Sequence, residues 1–174
     1  ISHHNGKVDF RRIAKAGIVG IIHKATQGLK FVDPLYYGNR EKALAAGLLW
    51  GAYHFGTAAN SIKQADHFLG TVQPEPETLL VLDYEPHGKS TMTLAQARQF
   101  VIRVNTVTGR YPGLYSGSLI KDKLAKKRID PILSQCFLWI AQYGPAPTKI
   151  PPTWSTWTHS FHRAFSTSTR ILIF

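Results

Sequence analysis

The sequence predicts an α/β fold in which strands and helices alternate and the strands, largely parallel, close toward a barrel. Three observations carry this. Apolar runs of strand length recur between helix-length stretches, at spacings of roughly 20–35 residues. The stretch Leu79–His87 (LLVLDYEPH) opens with four consecutive apolar residues, the pattern of a strand buried on both faces. The polar residues with chemical potential then gather at the C-terminal ends of the runs, where β/α folds carry their chemistry. With 174 residues the chain reads as a single domain over 1–174 with room for a real core. It is short for a full eight-stranded barrel of about 250 residues.

In order, Ile1–Gly6 reads as the end of a strand and a turn. Residues 8–16 fit a short helix with Gly17 just past it. Residues 18–24 form the next strand, and Lys24 and Gln27 sit where it gives way to a loop. Asp33-Pro34 reads as a cap followed by proline at the first helical position, opening a helix to Ala46 that Gly47 ends. Residues 48–55 are a strand. Tyr53 and Phe55 share one face and His54 takes the other. Asn60 caps a helix over 61–69, and residues 70–77 connect it to the central strand. Thr93 and Gln96 form a capping box for a helix over 94–108, ended by Gly109. Residues 113–116 are a short strand ending near Tyr115, and a basic helix follows to Lys127. Residues 137–143 (FLWIAQY) are a strand with Trp139 and Ala141 on one face and Ile140 and Gln142 on the other. A proline-rich loop spans 144–152, and residues 171–174 are β-prone enough for a short edge strand.

Composition narrows the function. The formal charge of +11 suits an anionic partner. The basic residues are scattered, however, and no zinc-finger spacing or RNA-binding aromatic pattern accompanies them, so nucleic acid is not the expected partner. No apolar run approaches a membrane span, and no signal peptide is visible. Cys136, the single cysteine, precedes an apolar run and reads as a buried thiol. His3 and His4 are adjacent, which is not a metal-ligand spacing. The segment His87–Ser90 has only the tail of a phosphate-loop pattern, because Asp83 occupies the place of the required glycine. Ser116 lacks the frame of a nucleophile elbow.

The chemistry points to Asp83 and Glu85. Residues two apart on a strand face the same way, so both carboxylates leave the end of a core strand side by side, and Pro86 closes the element. Paired carboxyls can differ in pKa, one keeping its proton near neutrality. That supplies an acid for a leaving oxygen and a negative partner beside a sugar, the requirements of glycoside hydrolysis. The D-x-E pattern alone is more often a solvated strand end. The aromatic residues Tyr53, Phe55, Tyr115 and Trp139 fit either a sugar-stacking surface or ordinary core packing.

Over residues 1 to about 157 the stretches ISHHNGKVDF, AGIVGIIHKATQG, FVDPLYYGNREKALAAGLLWGAYHF, QADHFL, LVLDYEP, GLYSG and FLWIAQYGP resemble the glycoside hydrolase family 25 lysozymes, the Chalaropsis-type muramidases. The resemblance implies an irregular TIM-like β/α barrel. It implies cleavage of the β-1,4 bond between N-acetylmuramic acid and N-acetylglucosamine in peptidoglycan. It implies no cofactor, neither metal nor organic, and action outside the cell or at the wall. Carried over by position, Glu85 matches the general acid, and Asp83 the companion carboxylate that orients the N-acetyl group or stabilises the cationic transition state. Tyr53, Phe55, Tyr115, Trp139 and Gln142 match positions lining the sugar cleft. Gln27 stands where many relatives have glutamate.

The pattern departs at both ends. Relatives have an aspartate immediately before the position of Ile1 and another in a final strand. Here no acidic residue follows Asp130, and the last segment reads RAFSTSTRILIF. The expectation is a barrel incompletely closed at the C-terminus, without two of the cleft carboxylates, and a weakened enzyme. Two alternatives stand beside the muramidase: a catalytically weakened or inactive barrel that acts as a peptidoglycan-binding module, and a generic basic β/α protein acting on another anionic polymer.

Overall fold

The structure is a computed structural model and describes residues 1–124, 129–142, 148–155, 157–159 and 171–172. The strands are β1 Gly20–Gln27, β2 Phe31–Val32, β3 Leu49–Phe55, β4 Leu79–Asp83, β5 Gly113–Ser116, β6 Leu138–Ile140, β7 Trp157–His159 and β8 Ile171–Leu172. The helices are α1 Phe10–Lys15, α2 Tyr36–Ala45, α3 Ser61–Val72, α4 Leu94–Thr108 and α5 Ser118–Leu124, with 3-10 turns at His3–Asn5 and Leu133–Gln135. One mixed sheet runs β2-β1-β3-β4-β5-β6-β7, and β8 also pairs with β1. Every pairing is parallel except the short β1–β2 ladder. The tail therefore does return to the sheet: Ile171 and Leu172 lie opposite Gly20 and Ile21. Among the described residues no ladder joins β7 to β8.

Alternation along the strands builds two apolar clusters. The larger takes Ile21, Ala52, Leu80, Leu82, Leu114, Leu138 and Ile140 together with the helix residues Phe68, Phe100, Val101, Val104, Ile120 and Leu124. The smaller holds Ile22, Val81 and Trp139, with Tyr53, Leu79 and Tyr115 packed against them. Alternate residues of one strand thus serve the helix layer and the opposite face, which holds the candidate site. Cys136 is buried, as its sequence context implied.

Several elements differ from the sequence reading, each for a local reason. Asp9 takes the N-cap of α1, accepting from Arg12 N (3.0 Å), so the helix begins at Phe10. Asp33 does not cap α2. One of its oxygens accepts from Leu35 N (3.0 Å) in a turn over Pro34-Leu35, and the other goes to His3, so the helix starts at Tyr36. α3 passes through Gly70 to Val72 because Thr71 and Val72 are buried, and it ends where Gln73 turns left-handed (φ 44°). β1 runs on to Gln27, with a register irregularity between Lys24 and Thr26. β6 stops at Ile140. Ala141 N still donates to Ser116 O (2.9 Å), but Gln142 N turns back to Ile140 O (2.9 Å). The expected end of the basic helix at Lys127, residues 143–147 of the strand and loop after β6, and residues 173–174 of the edge strand lie outside the described residues.

Candidate active site

The site is a single row across the parallel sheet. In Cα register Gln27 opposes Phe55, Phe55 opposes Asp83, Asp83 opposes Tyr115, and Tyr115 opposes Trp139. Residues in register on neighbouring strands share a face, so five side chains from five strands are brought together. One row earlier along the strands Lys24 opposes Tyr53, which opposes Val81. Tyr115 and Trp139 meet edge to face, with ring centroids 4.3 Å apart. Trp139 is buried, while Tyr53, Phe55 and Tyr115 are half-buried.

Asp83 is the last residue of β4 and is 7% exposed. Its Oδ1 is fully buried and has no hydrogen-bond partner among the described residues. Burial first, and the nearby Glu85 second, push its carboxyl well above the usual range; the Lys24 ammonium pulls the other way. Glu85 lies past the end of β4, half-buried, and burial raises its carboxyl as well. The segment that carries it is fixed from β5. Tyr84 N donates to Tyr115 O (2.8 Å), and Ser116 Oγ donates to Tyr84 O (2.6 Å). Glu85 therefore stands beyond the ladder rather than in it, near enough to Asp83 to oppose charge there. Both resist ionisation, and the charge on one opposes charge on the other, so ionising one carboxyl makes ionising the other harder.

Lys24 is 7% exposed. Its Nζ donates to Gln27 Oε1 (2.5 Å) and lies 5.1 Å from the Phe55 ring centroid and 5.4 Å from that of Phe31. The irregularity between Lys24 and Thr26 is what lets residues three apart share this face. Without it strand alternation would set them on opposite sides.

The turn before α1 frames the same face. Lys24 N donates to Ile1 O (2.8 Å), and Ile1 N donates to Ile22 O (2.7 Å). Asp33 accepts from His3 N (3.0 Å) and pairs with His3 Nδ1 (2.7 Å); these bonds hold its carboxyl below the usual range despite its burial. Tyr53, also hydrogen-bonded to Ser2, has its phenol pushed up by burial and by Asp83. Asp33 and His3 were not singled out as site-framing residues from sequence, because Asp-Pro before a helix also reads as a plain cap.

Gln142 lies past the end of β6, outside the row. Its Oε1 accepts from Lys121 Nζ of α5 (2.9 Å). Among the described residues no group of three or more His, Cys, Asp or Glu side chains is set to hold a metal ion. No helix among them is long and apolar enough to cross a membrane.

Comparison with known proteins fits this arrangement. Residues 1–166 match the family model of Glycosyl hydrolases family 25. The chain is 31% identical over 170 residues to the uncharacterized protein YegX of Escherichia coli strain K12, covering 92% of this chain and 61% of that one, so it spans about three fifths of that relative's length. It is 26% identical over 192 residues to the N,O-diacetylmuramidase of Chalaropsis sp., covering 99% of this chain and 91% of that one. The crystal structure of the bacterial lysozyme from Streptomyces coelicolor superimposes with a TM-score of 0.80 at 25% identity, over 92% of this chain and 81% of the lysozyme. With the family pattern running through nearly all of the sequence and the same fold beneath it, the chain belongs to glycosyl hydrolase family 25.

Proposed function

We propose that this chain is a muramidase that hydrolyses the β-1,4 bond between N-acetylmuramic acid and N-acetylglucosamine in peptidoglycan, outside the cell or at the wall. Family membership and the muramidase and lysozyme names of its relatives support the substrate class. The observation that carries the reaction is the carboxyl pair at the end of β4, with Asp83 flanked in register by Phe55 and Tyr115. Glu85, raised by partial burial, donates its proton to the leaving glycosidic oxygen. Asp83, negative, steadies the oxocarbenium-like charge and orients the substrate N-acetyl group from the end of β4. Phe55, Tyr115 and Trp139 offer ring faces and edges to the sugars, with Tyr53 beneath them and Gln142 at the rim. The β/α units form a TIM-like barrel in one domain, with β7 and β8 on either side of its seam.

The test is to digest purified walls and identify the fragments by mass spectrometry. Muramidase action yields fragments with N-acetylmuramic acid at the reducing end. Fragments ending in N-acetylglucosamine, or cut in the peptide, contradict the assignment. Wall binding without any cleavage supports the binding-module alternative.

A further inference from the structure

The proposed chemistry needs a negative Asp83, yet burial and Glu85 both favour its neutral form. A positive group must offset them if Glu85 rather than Asp83 is to hold the proton. Lys24 has the placement for this. Its backbone lies one row before Asp83, opposite Tyr53, and its ammonium reaches the next row, where Gln27 accepts from it and the Phe55 ring lies 5.1 Å away. Phe55 is the residue directly opposite Asp83. Among the described residues no ion pair within contact distance joins Lys24 to Asp83, and Gln27 is the hydrogen-bond acceptor the ammonium has. A buried ammonium with donors to spare and a buried carboxylate oxygen without a partner therefore share one face, unjoined.

We propose that Lys24 is a positioning residue for the carboxyl pair: fixed by Gln27 and two aromatic rings beside the Asp83 row, its ammonium favours the charged form of Asp83 without closing on it, and so works against the burial that favours a proton there. A direct ion pair would spend the Asp83 charge on Lys24 and leave less of it to stabilise the developing cation. The Gln27 and aromatic contacts fix the ammonium at a distance where its field still acts.

Other charged groups on this face do not take the same role. Asp33 also attracts Lys24, but its carboxylate is already satisfied by His3 and two backbone N–H groups. The Tyr53 phenol is held neutral by burial and by the neighbouring carboxylates. Glu85 opposes charge on Asp83, and any charge on the Ile1 nitrogen acts in the same sense as Lys24 but less strongly. The ammonium is itself lowered by burial and held up by Asp83 first and Asp33 second, so the support is mutual.

The catalytic meaning rests on the muramidase reading; the electrostatic pairing can be tested without it. Protein carrying [13C]aspartate is titrated by NMR, with the Asp83 carboxyl signal assigned by its loss in Asp83→Asn. In Lys24→Met, which keeps the side-chain length, the Asp83 midpoint should rise by about one pH unit or more. In Lys24→Arg it should return to the parent value. On walls, Lys24→Met should lower kcat at pH 6 by about tenfold with KM within about twofold, shift the acid limb of the rate profile upward, and be rescued by Lys24→Arg. An Asp83 midpoint within about 0.3 of the parent in Lys24→Met, or an arginine variant no better than methionine, overturns the inference. If the parent chain cleaves no walls, the muramidase reading fails while the carboxyl titration still decides this one.

Discussion

Asp83 stands opposite Tyr115 in the parallel register of β4 and β5, and one further ladder bond, from Tyr84 N to Tyr115 O (2.8 Å), anchors the chain before Glu85 departs. The end of β4 is thus held from its neighbour up to the residue before the proposed acid. Asp83 is enclosed as a result, and the enclosure has a measurable cost.

That cost gives the first prediction. A carboxyl whose folded pKa is raised binds its proton more tightly when folded. Stability is then greatest below the unfolded pKa and declines as pH rises from there through the folded value. Asp83, raised well above the ordinary 3.8, should therefore weaken the fold at neutral pH. Asp83→Asn should raise Tm at pH 7 by about 2–4 °C, the response of a chain this size to about 1 kcal/mol, and should abolish cleavage. The gain should vanish near pH 3, where the parent carboxyl is neutral too. Thermal scans across pH check both; an unchanged or lower Tm at pH 7 would show that Asp83 is not strained by its burial.

A second prediction has the opposite sign. Asp130 is buried, receives Arg98 Nε (2.8 Å) and the N–H groups of Ile132 (3.1 Å) and Leu133 (3.0 Å), and pairs with the second guanidinium nitrogen at 2.6 Å. The Arg98 bond and these N–H bonds hold its carboxyl below the usual range despite burial. Here stability is present above the unfolded pKa and lost as pH falls through the folded value. Asp130→Ala should cost about 1–3 kcal/mol at pH 7, because it leaves the partly exposed Arg98 guanidinium without its partner and strands one buried and one half-buried N–H. The deficit should shrink toward pH 2. A denaturant titration at both pH values reads it; a deficit below about 1 kcal/mol at pH 7 would contradict it.

A third prediction separates sugar contact from packing. Trp139 lies in the row and packs edge to face on Tyr115 (4.3 Å). Trp139→Phe keeps an aromatic ring in the apolar cluster but loses breadth. It should weaken chitooligosaccharide binding by about tenfold while lowering Tm only slightly. Calorimetric titration with unchanged affinity would assign Trp139 to the core alone.

Legibility in the sequence followed the reach of each interaction. Tyr53 and Phe55 share a face by period-two alternation, and Asp83, Tyr115 and Trp139 fall at or near strand ends in the sequence, but it is the register of the ladders that brings the five to one face. The capping box of α4 was readable because both partners lie within one turn. The joint placement of Lys24 and Gln27 was not readable, since it depends on an irregularity that pairing with β3 imposes. Asp33 was misread because a cap motif does not reveal that a distant His3 competes for its oxygen. Gln142 was assigned to a strand that continues in pattern but turns back after Ala141, where Gln142 N bonds Ile140 O instead of the neighbouring strand. The short β-prone tail was readable as a strand, but its partner β1, at the far end of the chain, was not.

The most direct measurement of the central claim is the lysis rate of purified walls by Glu85→Gln against the parent chain, with binding and Tm recorded alongside. Glutamine keeps the shape and removes the donated proton, so lysis should fall by at least about a hundredfold while wall binding and Tm stay near parent values. Lysis by Glu85→Gln within about twofold of the parent would show that the proton comes from another group, since general acid catalysis is worth about 10²–10⁴ in rate.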